Sequence, residues 1–503
     1  MAIAPISPRG GFAGHVLKLV GGTTAAQVIT LLTAPIISRL YAPEAFGTLS
    51  VFVALVGSIG VVVCLRYEFA ILLPERHEEA ANVAAVCLLA TLLTSALTAL
   101  ALWLWGEWLL SLLKAPGLAR YLWLMPLSLL IQGVIQTATY WTIRNKQFGR
   151  VSAARVSAST TTSAVPIALA GVGKAGTSAL IGSWVAGILV SALVLASTTL
   201  RNSGLLFRNS IRRSAIRESI SRYRKFPLVD SWSAFINTLS WQLPTLMLSA
   251  FFATTVVGYY SLANRIILLP LTLVGHAISQ VFFQQGAELR TRPGALTHAV
   301  EMVFRRLVAL GLLPALILTI LGQELFIVVF GAAWAEAGLY TQILAPWMFF
   351  LVISSPLSNL FIILERQELL LIVQVLVFIS RVIALLVGGR LGNVYLTLAL
   401  WSISGAVIYG GLSMWNLRMA GVSLRSAGRV IVRFAGIGLV FGAALLGLKA
   451  WLGASIFLLI ALVPLAAAYY LVAAREDPAL RRWVSSLVGA RISEGDDSSV
   501  GVN

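Results

Sequence analysis

The chain has 503 residues, of which 58% are hydrophobic and 11% charged, and its 37 Lys and Arg against 19 Asp and Glu give a net charge of +18. A soluble protein carries about 25% charged residues to cover its surface, so this composition excludes a soluble enzyme and leaves an all-α polytopic membrane protein. A nucleic-acid binder gathers its cations on one polar face; here they lie between apolar runs, so no nucleic-acid partner is expected.

Crossing a hydrocarbon core of about 30 Å takes about 20 mostly apolar residues, and fourteen windows qualify. The first six lie at 14–37, 47–73, 80–104, 121–142, 153–173 and 176–200. The fifth contains Ser-Ala-Ser-Thr-Thr-Thr-Ser (157–163), which spans only if its hydroxyls face other helices. The next six fall at 229–253, 257–284, 303–330, 337–362, 369–389 and 393–417, and the last two at 430–448 and 451–473. The first window is too long for a cleavable signal and lacks a small-residue cleavage site. Residues 493–499, Ser-Glu-Gly-Asp-Asp-Ser-Ser, form an acidic tail too polar to fold alone.

Lys and Arg set the orientation. With both termini cytoplasmic, 28 of the 37 fall on the inner side, six on the outer side and three within spans. Eight of the inner ones sit in the stretch 201–227, which separates two six-helix blocks. A short echo links the blocks: Gly47-Thr-Leu-Ser50 opens the second window and Gly258-Tyr-Tyr-Ser261 the eighth, 211 residues later. The expected organisation is a bundle at 1–200, a basic linker at 201–227 and a second bundle at 228–417. Two further helices follow at 418–475, then a partly disordered cytoplasmic tail at 476–503. Parallel repeats of this kind describe a transporter with substrate between its bundles. Nine of the seventeen prolines fall within windows, which suits helices that bend.

No catalytic constellation stands out. The four histidines are scattered, and Cys64 and Cys87 lie in apolar runs as packing residues, so neither a metal nor a cofactor is expected. Gly171-Val-Gly-Lys-Ala-Gly-Thr-Ser178 has the wrong order for a phosphate loop. Trp103, Trp105, Trp108, Trp123 and Trp141 lie near window ends, as an interfacial belt does.

Charge inside the windows is the informative feature, because an ionisable group in the bilayer costs several kcal/mol and usually faces an aqueous cavity. Arg66, Arg265 and Arg381 are such residues, and a cavity rich in arginine favours an anion whose oxygens match the guanidinium fork, phosphate above all. Their candidate role is substrate binding. Glu68, two positions from Arg66, falls on a different face of a continuous helix and so pairs with a charge elsewhere. Asp230 begins the seventh window, where a capping carboxylate is the commoner explanation. Arg39 ends the first window at the interface. Together with Asn264, these residues are candidates for coupling or for the cavity wall.

Several segments carry a family resemblance: Leu17-Lys-Leu-Val-Gly-Gly-Thr-Thr24, Ser38-Arg-Leu-Tyr-Ala-Pro-Glu-Ala-Phe-Gly47, Cys64-Leu-Arg-Tyr-Glu-Phe-Ala-Ile-Leu-Leu-Pro74 and Gly258-Tyr-Tyr-Ser-Leu-Ala-Asn-Arg-Ile-Ile-Leu-Leu-Pro270. With the twelve-plus-two layout, they resemble the Wzx-type oligosaccharide flippases of the multidrug/oligosaccharidyl-lipid/polysaccharide (MOP) exporter superfamily. The resemblance implies a bacterial inner-membrane protein that flips undecaprenyl-diphosphate-linked oligosaccharide outward for O-antigen, capsule or exopolysaccharide. Membrane lipids, a polysaccharide polymerase and a chain-length regulator would be its partners. A cation-coupled multidrug exporter of the same superfamily is the alternative, and a membrane glycosyltransferase or ligase a further one.

Overall fold

The computed structural model describes residues 11–269, 271, 275–290, 292 and 294–475. These form eighteen α-helices, with no β-strand among the described residues. The first nine are α1 Gly11–Leu40, α2 Pro43–Gly60, α3 Tyr67–Ala70, α4 His77–Leu112, α5 Leu124–Arg144, α6 Phe148–Gly171, α7 Thr177–Ser210, α8 Arg213–Arg222 and α9 Ser231–Phe251. They continue with α10 Thr254–Ile267, α11 His276–Leu289, α12 Ala295–Phe330, α13 Ala335–Leu357, α14 Leu360–Ile363, α15 Gln367–Arg390, α16 Val394–Met419, α17 Leu424–Leu452 and α18 Ile456–Ala474. The acidic tail and Pro270 lie outside the described residues.

Each of the fourteen apolar windows holds helix, and nine segments among the described residues are long and apolar enough to cross a membrane. The chain is a multi-pass membrane protein. Among the described residues, the windows of α1, α5, α6, α9 and the pair α10 and α11 hold no segment of this standard, so the count of fourteen is not reached by length and composition alone.

In α6 the shortfall has a visible cause, its run of hydroxyls, and two of these, Ser159 and Ser163, are turned toward α1. The hydroxyls of Thr30 and Ser159 lie 2.9 Å apart, and Thr33 donates to Ser163 at 2.9 Å. Ser159 also donates to the Ala26 carbonyl at 2.9 Å. Paired in this way, these hydroxyls avoid the cost of several kcal/mol that an unpaired one pays in hydrocarbon; Thr161 and Thr162 donate to α6 carbonyls instead, and Thr160 is exposed.

The chain divides into two compact units. The first comprises Met1–Leu262, Val329–Trp334 and Gly389–Val394. Within it α1 packs on α6, α6 on α7, α5 on α4 and α7, and α2 on α9. The second comprises Ala263–Val328, Ala335–Gly388 and Tyr395–Asn503. Its core joins α12, α13, α17 and α18 through Phe304, Leu307, Leu357, Phe434 and Tyr469. The Tyr469 hydroxyl, buried in that core, donates to the Ala309 carbonyl at 2.8 Å.

Three windows that the sequence reads as continuous each hold two helices, α2 and α3, α10 and α11, and α13 and α14. α2 stops at Gly60 and the chain turns through 61–66 before α3; α10 stops at Ile267 and α11 begins at His276. In the first case Gly57, Gly60 and the β-branched run Val61-Val-Val63 weaken the helix locally. The carbonyls freed by the break are satisfied from neighbouring helices: Gln136 Nε2 donates to Gly60 at 2.8 Å and Thr94 Oγ1 to Val63 at 2.9 Å. Such side-chain rescue lets an interrupted helix survive at membrane depth.

Trp103, Trp105, Trp108 and Trp123 are exposed, as a belt requires. Trp141 is not part of it. It is 2% exposed, donates to Ser203 Oγ at 3.1 Å and lies 4.6 Å from the Phe207 ring, because α7 extends past the window end and covers it. Cys64 and Cys87 are buried free thiols.

Candidate functional site

The break after α2 brings functional side chains together. Leu65 and Arg66 both adopt the left-handed region, with φ of 50° and 63°. For non-glycine residues each such conformation costs about 1–3 kcal/mol and persists only where the surroundings enforce it. Its effect is to redirect the chain so that Arg66 and Glu68 no longer follow one helical spiral. Their separation onto different faces, expected for a continuous helix, does not occur: Arg66 Nη1 lies 3.7 Å from Glu68 Oε1.

Asp230 is the second partner. Its Oδ2 accepts a hydrogen bond from Arg66 Nε at 2.8 Å, and it makes no side-chain cap at the start of α9. The capping explanation is thereby replaced by an ion pair across 164 residues of sequence. Phe69 completes the setting, with the Arg66 guanidinium 4.2 Å from its ring centroid, and Tyr140 packs on Phe69 at 4.9 Å. A guanidinium over an aromatic face gains further attraction when desolvated.

The two carboxylates differ in access. The Glu68 side chain is 3% exposed, with Oε2 lacking a hydrogen-bond partner, whereas that of Asp230 is 45% exposed. Arg66 itself is 20% exposed. The group thus comprises one fixed acid, one accessible acid and one arginine between them.

The other candidates lie elsewhere. Arg39 is exposed in the last turn of α1. Asn264 and Arg265 lie in the last turn of α10, Arg265 exposed and Asn264 half-buried. Arg381, at 6% exposure, is enclosed in the second unit, 5.2 Å from the Trp401 ring centroid and 5.9 Å from that of Trp347. These two rings meet edge to face at 6.2 Å. The sequence pattern assigns a role to tryptophans only at span ends; the need of a mid-span arginine for a partner is the signal that points to these two.

A family model described as "Polysaccharide biosynthesis protein" matches residues 36–339, more than half of the chain. The chain belongs to this family. The matched stretch includes Arg66, Glu68, Asp230, Asn264 and Arg265, and stops before Arg381. No curated protein matches the chain. Among solved structures, the fold is similar to lipid II flippase MurJ in an inward closed conformation, with a TM-score of 0.67, 13% identity and coverage of 92% of this chain and 99% of that one. It is also similar to an inward-facing multidrug resistance MATE family transporter of the MOP superfamily, with a TM-score of 0.61, 16% identity and coverage of 81% and 98%. A point mutant of the Vibrio cholerae MATE transporter VcmN gives a TM-score of 0.51 at 14% identity over 81% and 95%. At these identities the likeness concerns the fold. This polysaccharide biosynthesis protein therefore has the helical fold of the MOP superfamily.

Proposed function

We propose that the chain flips undecaprenyl-diphosphate-linked oligosaccharide from the cytoplasmic to the outer leaflet of the bacterial inner membrane, by alternating access of two bundles around a cationic cavity. O-antigen, capsule or exopolysaccharide synthesis would consume the product, with a polymerase and a chain-length regulator acting after it. Membership of the polysaccharide biosynthesis family and the MOP fold support the reading. The observation that carries it is Arg66, a membrane arginine on strained backbone whose closest partner is an accessible carboxylate.

The chemistry follows from that arrangement. Asp230 occupies an anion position on Arg66, and a diphosphate oxygen can take its place because Asp230 is partly solvated and can swing away. Glu68, enclosed at the other side of the guanidinium, stays and keeps it oriented. Release of the diphosphate lets Asp230 return, so Arg66 is never left uncompensated in a low-dielectric setting. Arg265, exposed on α10, is the second arginine of the anion route. Arg381, enclosed by two indoles, we assign to holding α13, α15 and α16 together.

The alternative of a cation-coupled multidrug exporter draws on Glu68, a buried carboxylate with one unpartnered oxygen. Deleting the gene in its host and analysing lipid-linked intermediates separates the two. A complete, unpolymerised repeat unit accumulating on the cytoplasmic leaflet is the expected result. A truncated glycan, or unchanged lipid intermediates with altered drug susceptibility, refutes the flippase reading.

A further inference from the structure

The segment between α7 and α9 holds a second feature, which stands apart from the transport reading. Residues 201–227 contain eight Lys and Arg and one acid, Glu218. In α8 the buried face is formed by Ser219, followed one turn later by Tyr223. Arg213, Arg217 and Ile220 follow each other at spacings of four and three along one exposed side of α8, and Arg224 lies in the turn just past its end; all are exposed, Ile220 at 44%. The result is a stripe of three arginines around one isoleucine.

The depth of this stripe is set by its attachments to α4. Asn82, buried, grips the joint between α7 and α8 with both amide atoms: Nδ2 donates to the Ser210 carbonyl at 3.0 Å and Oδ1 accepts from Arg212 N–H at 3.1 Å. Arg222 pairs with Glu79 at 3.6 Å, and the Tyr67 hydroxyl donates to the Ile220 carbonyl at 3.4 Å. On α4 itself the exposed leucines run from Leu88 to Leu104, ending among the exposed Trp103, Trp105 and Trp108. Counting back from Trp105, a hydrocarbon core of about 30 Å ends about 20 residues earlier, near residue 85. Asn82 and Glu79 therefore lie roughly 5 and 9 Å beyond it, in the headgroup layer.

We propose that the exposed side of α8, with the turn that follows it, binds anionic phospholipid headgroups, with Arg213, Arg217 and Arg224 on the phosphodiesters and Ile220 dipping toward the acyl boundary. A basic face carrying an apolar residue, held at headgroup depth, matches the chemistry of an interfacial anchor. Each arginine near an anionic surface strengthens the attraction about fivefold at low salt.

The test uses the full chain in nanodiscs of phosphatidylcholine alone and of phosphatidylcholine with phosphatidylglycerol, with amide hydrogen exchange of 211–224 as the readout. Phosphatidylglycerol is expected to slow exchange about tenfold or more, and high salt to reverse the effect. The triple variant R213Q/R217Q/R224Q is expected to lose the lipid dependence while exchange in α4 and α7 stays unchanged. Equal exchange of the native chain in both lipids overturns the proposal and needs no variant to be read. Protection in phosphatidylcholine that appears only on adding membrane extract, and is abolished by protease, overturns it in favour of a protein partner.

Discussion

At the start of α2 and α10, Gly47 and Gly258 let two helix backbones meet within the first unit. A methyl group on Gly47 would lie 1.7 Å from the Thr254 carbonyl oxygen, and one on Gly258 would lie 1.9 Å from that of Pro43. Pro43 and Thr254 are 211 residues apart, as are the two glycines, so the contact is reciprocal: each glycine faces the residue four before the other glycine. Both obstacles are backbone and cannot rotate away. Restoring ordinary contact requires the two helix ends to separate by about 1.5 Å, and overpacking of this kind costs typically about 1–3 kcal/mol. At about 2–4 °C per kcal/mol for domains of 150–250 residues, Gly47→Ala or Gly258→Ala should lower the melting temperature of the purified protein by roughly 2–12 °C. The diagnostic result is the double variant. A separation that admits the first methyl also admits the second, so the pair should cost little more than either alone, a non-additivity of about 1 kcal/mol or more. Thermal unfolding in detergent, followed by the fluorescence of native tryptophans, measures all three variants. Wild-type stability in either single variant, or a double variant equal to the sum of the singles, refutes the reciprocal contact.

Arg66→Ala and Arg265→Ala should each abolish surface polysaccharide at unchanged protein level, scored by immunoblot and polysaccharide gel; normal export by both defeats the anion route. Asp230→Asn should bind a soluble polyprenyl diphosphate analogue more tightly yet export more slowly, since the competitor for Arg66 is weakened; calorimetry and an export assay separate the two effects, and weaker binding contradicts displacement. Arg381→Met should preserve export and leave stability within about 1 kcal/mol, because the charge is exchanged for an apolar group of similar length, whereas Trp347→Ala should cost about 3–5 kcal/mol. The Arg290 guanidinium, hydrogen-bonded at 2.8 Å, holds the exposed Glu365 carboxyl below its ordinary value. A depressed acid contributes stability above its unfolded pKa and loses it as pH falls through the folded one, so a small acid-side drop in melting temperature should disappear in Glu365→Gln.

Hydropathy makes the helices legible because crossing a bilayer demands length and apolarity in every segment, and all fourteen windows contain helix. The internal echo is equally readable, and in the structure it pairs two glycines. The site is legible only in part. Arg66 announces itself as a charge in an apolar run, but helical periodicity misplaces its relation to Glu68, because that periodicity fails where Leu65 and Arg66 turn left-handed. No glycine or proline within 61–66 marks that turn; it is imposed by neighbours such as Gln136 and Thr94 that catch the freed carbonyls. The Asp230 partnership is likewise a product of α2 packing on α9, and no local pattern encodes it. The hydroxyls of 157–163 signal their need for other helices, without any indication that α1 supplies partners for Ser159 and Ser163.

That last pairing constrains how the protein can move. Between α1 and α6 the bonds are short, spaced one turn apart and extended by Arg155, which donates to Thr23 at 2.6 Å. Sliding either helix along the other by one residue would break every rung at once, with no water at that depth to replace them. The two helices are therefore a single mechanical part, a rail rather than a hinge. Spin labels placed on them should keep one fixed separation through every stage of the transport cycle.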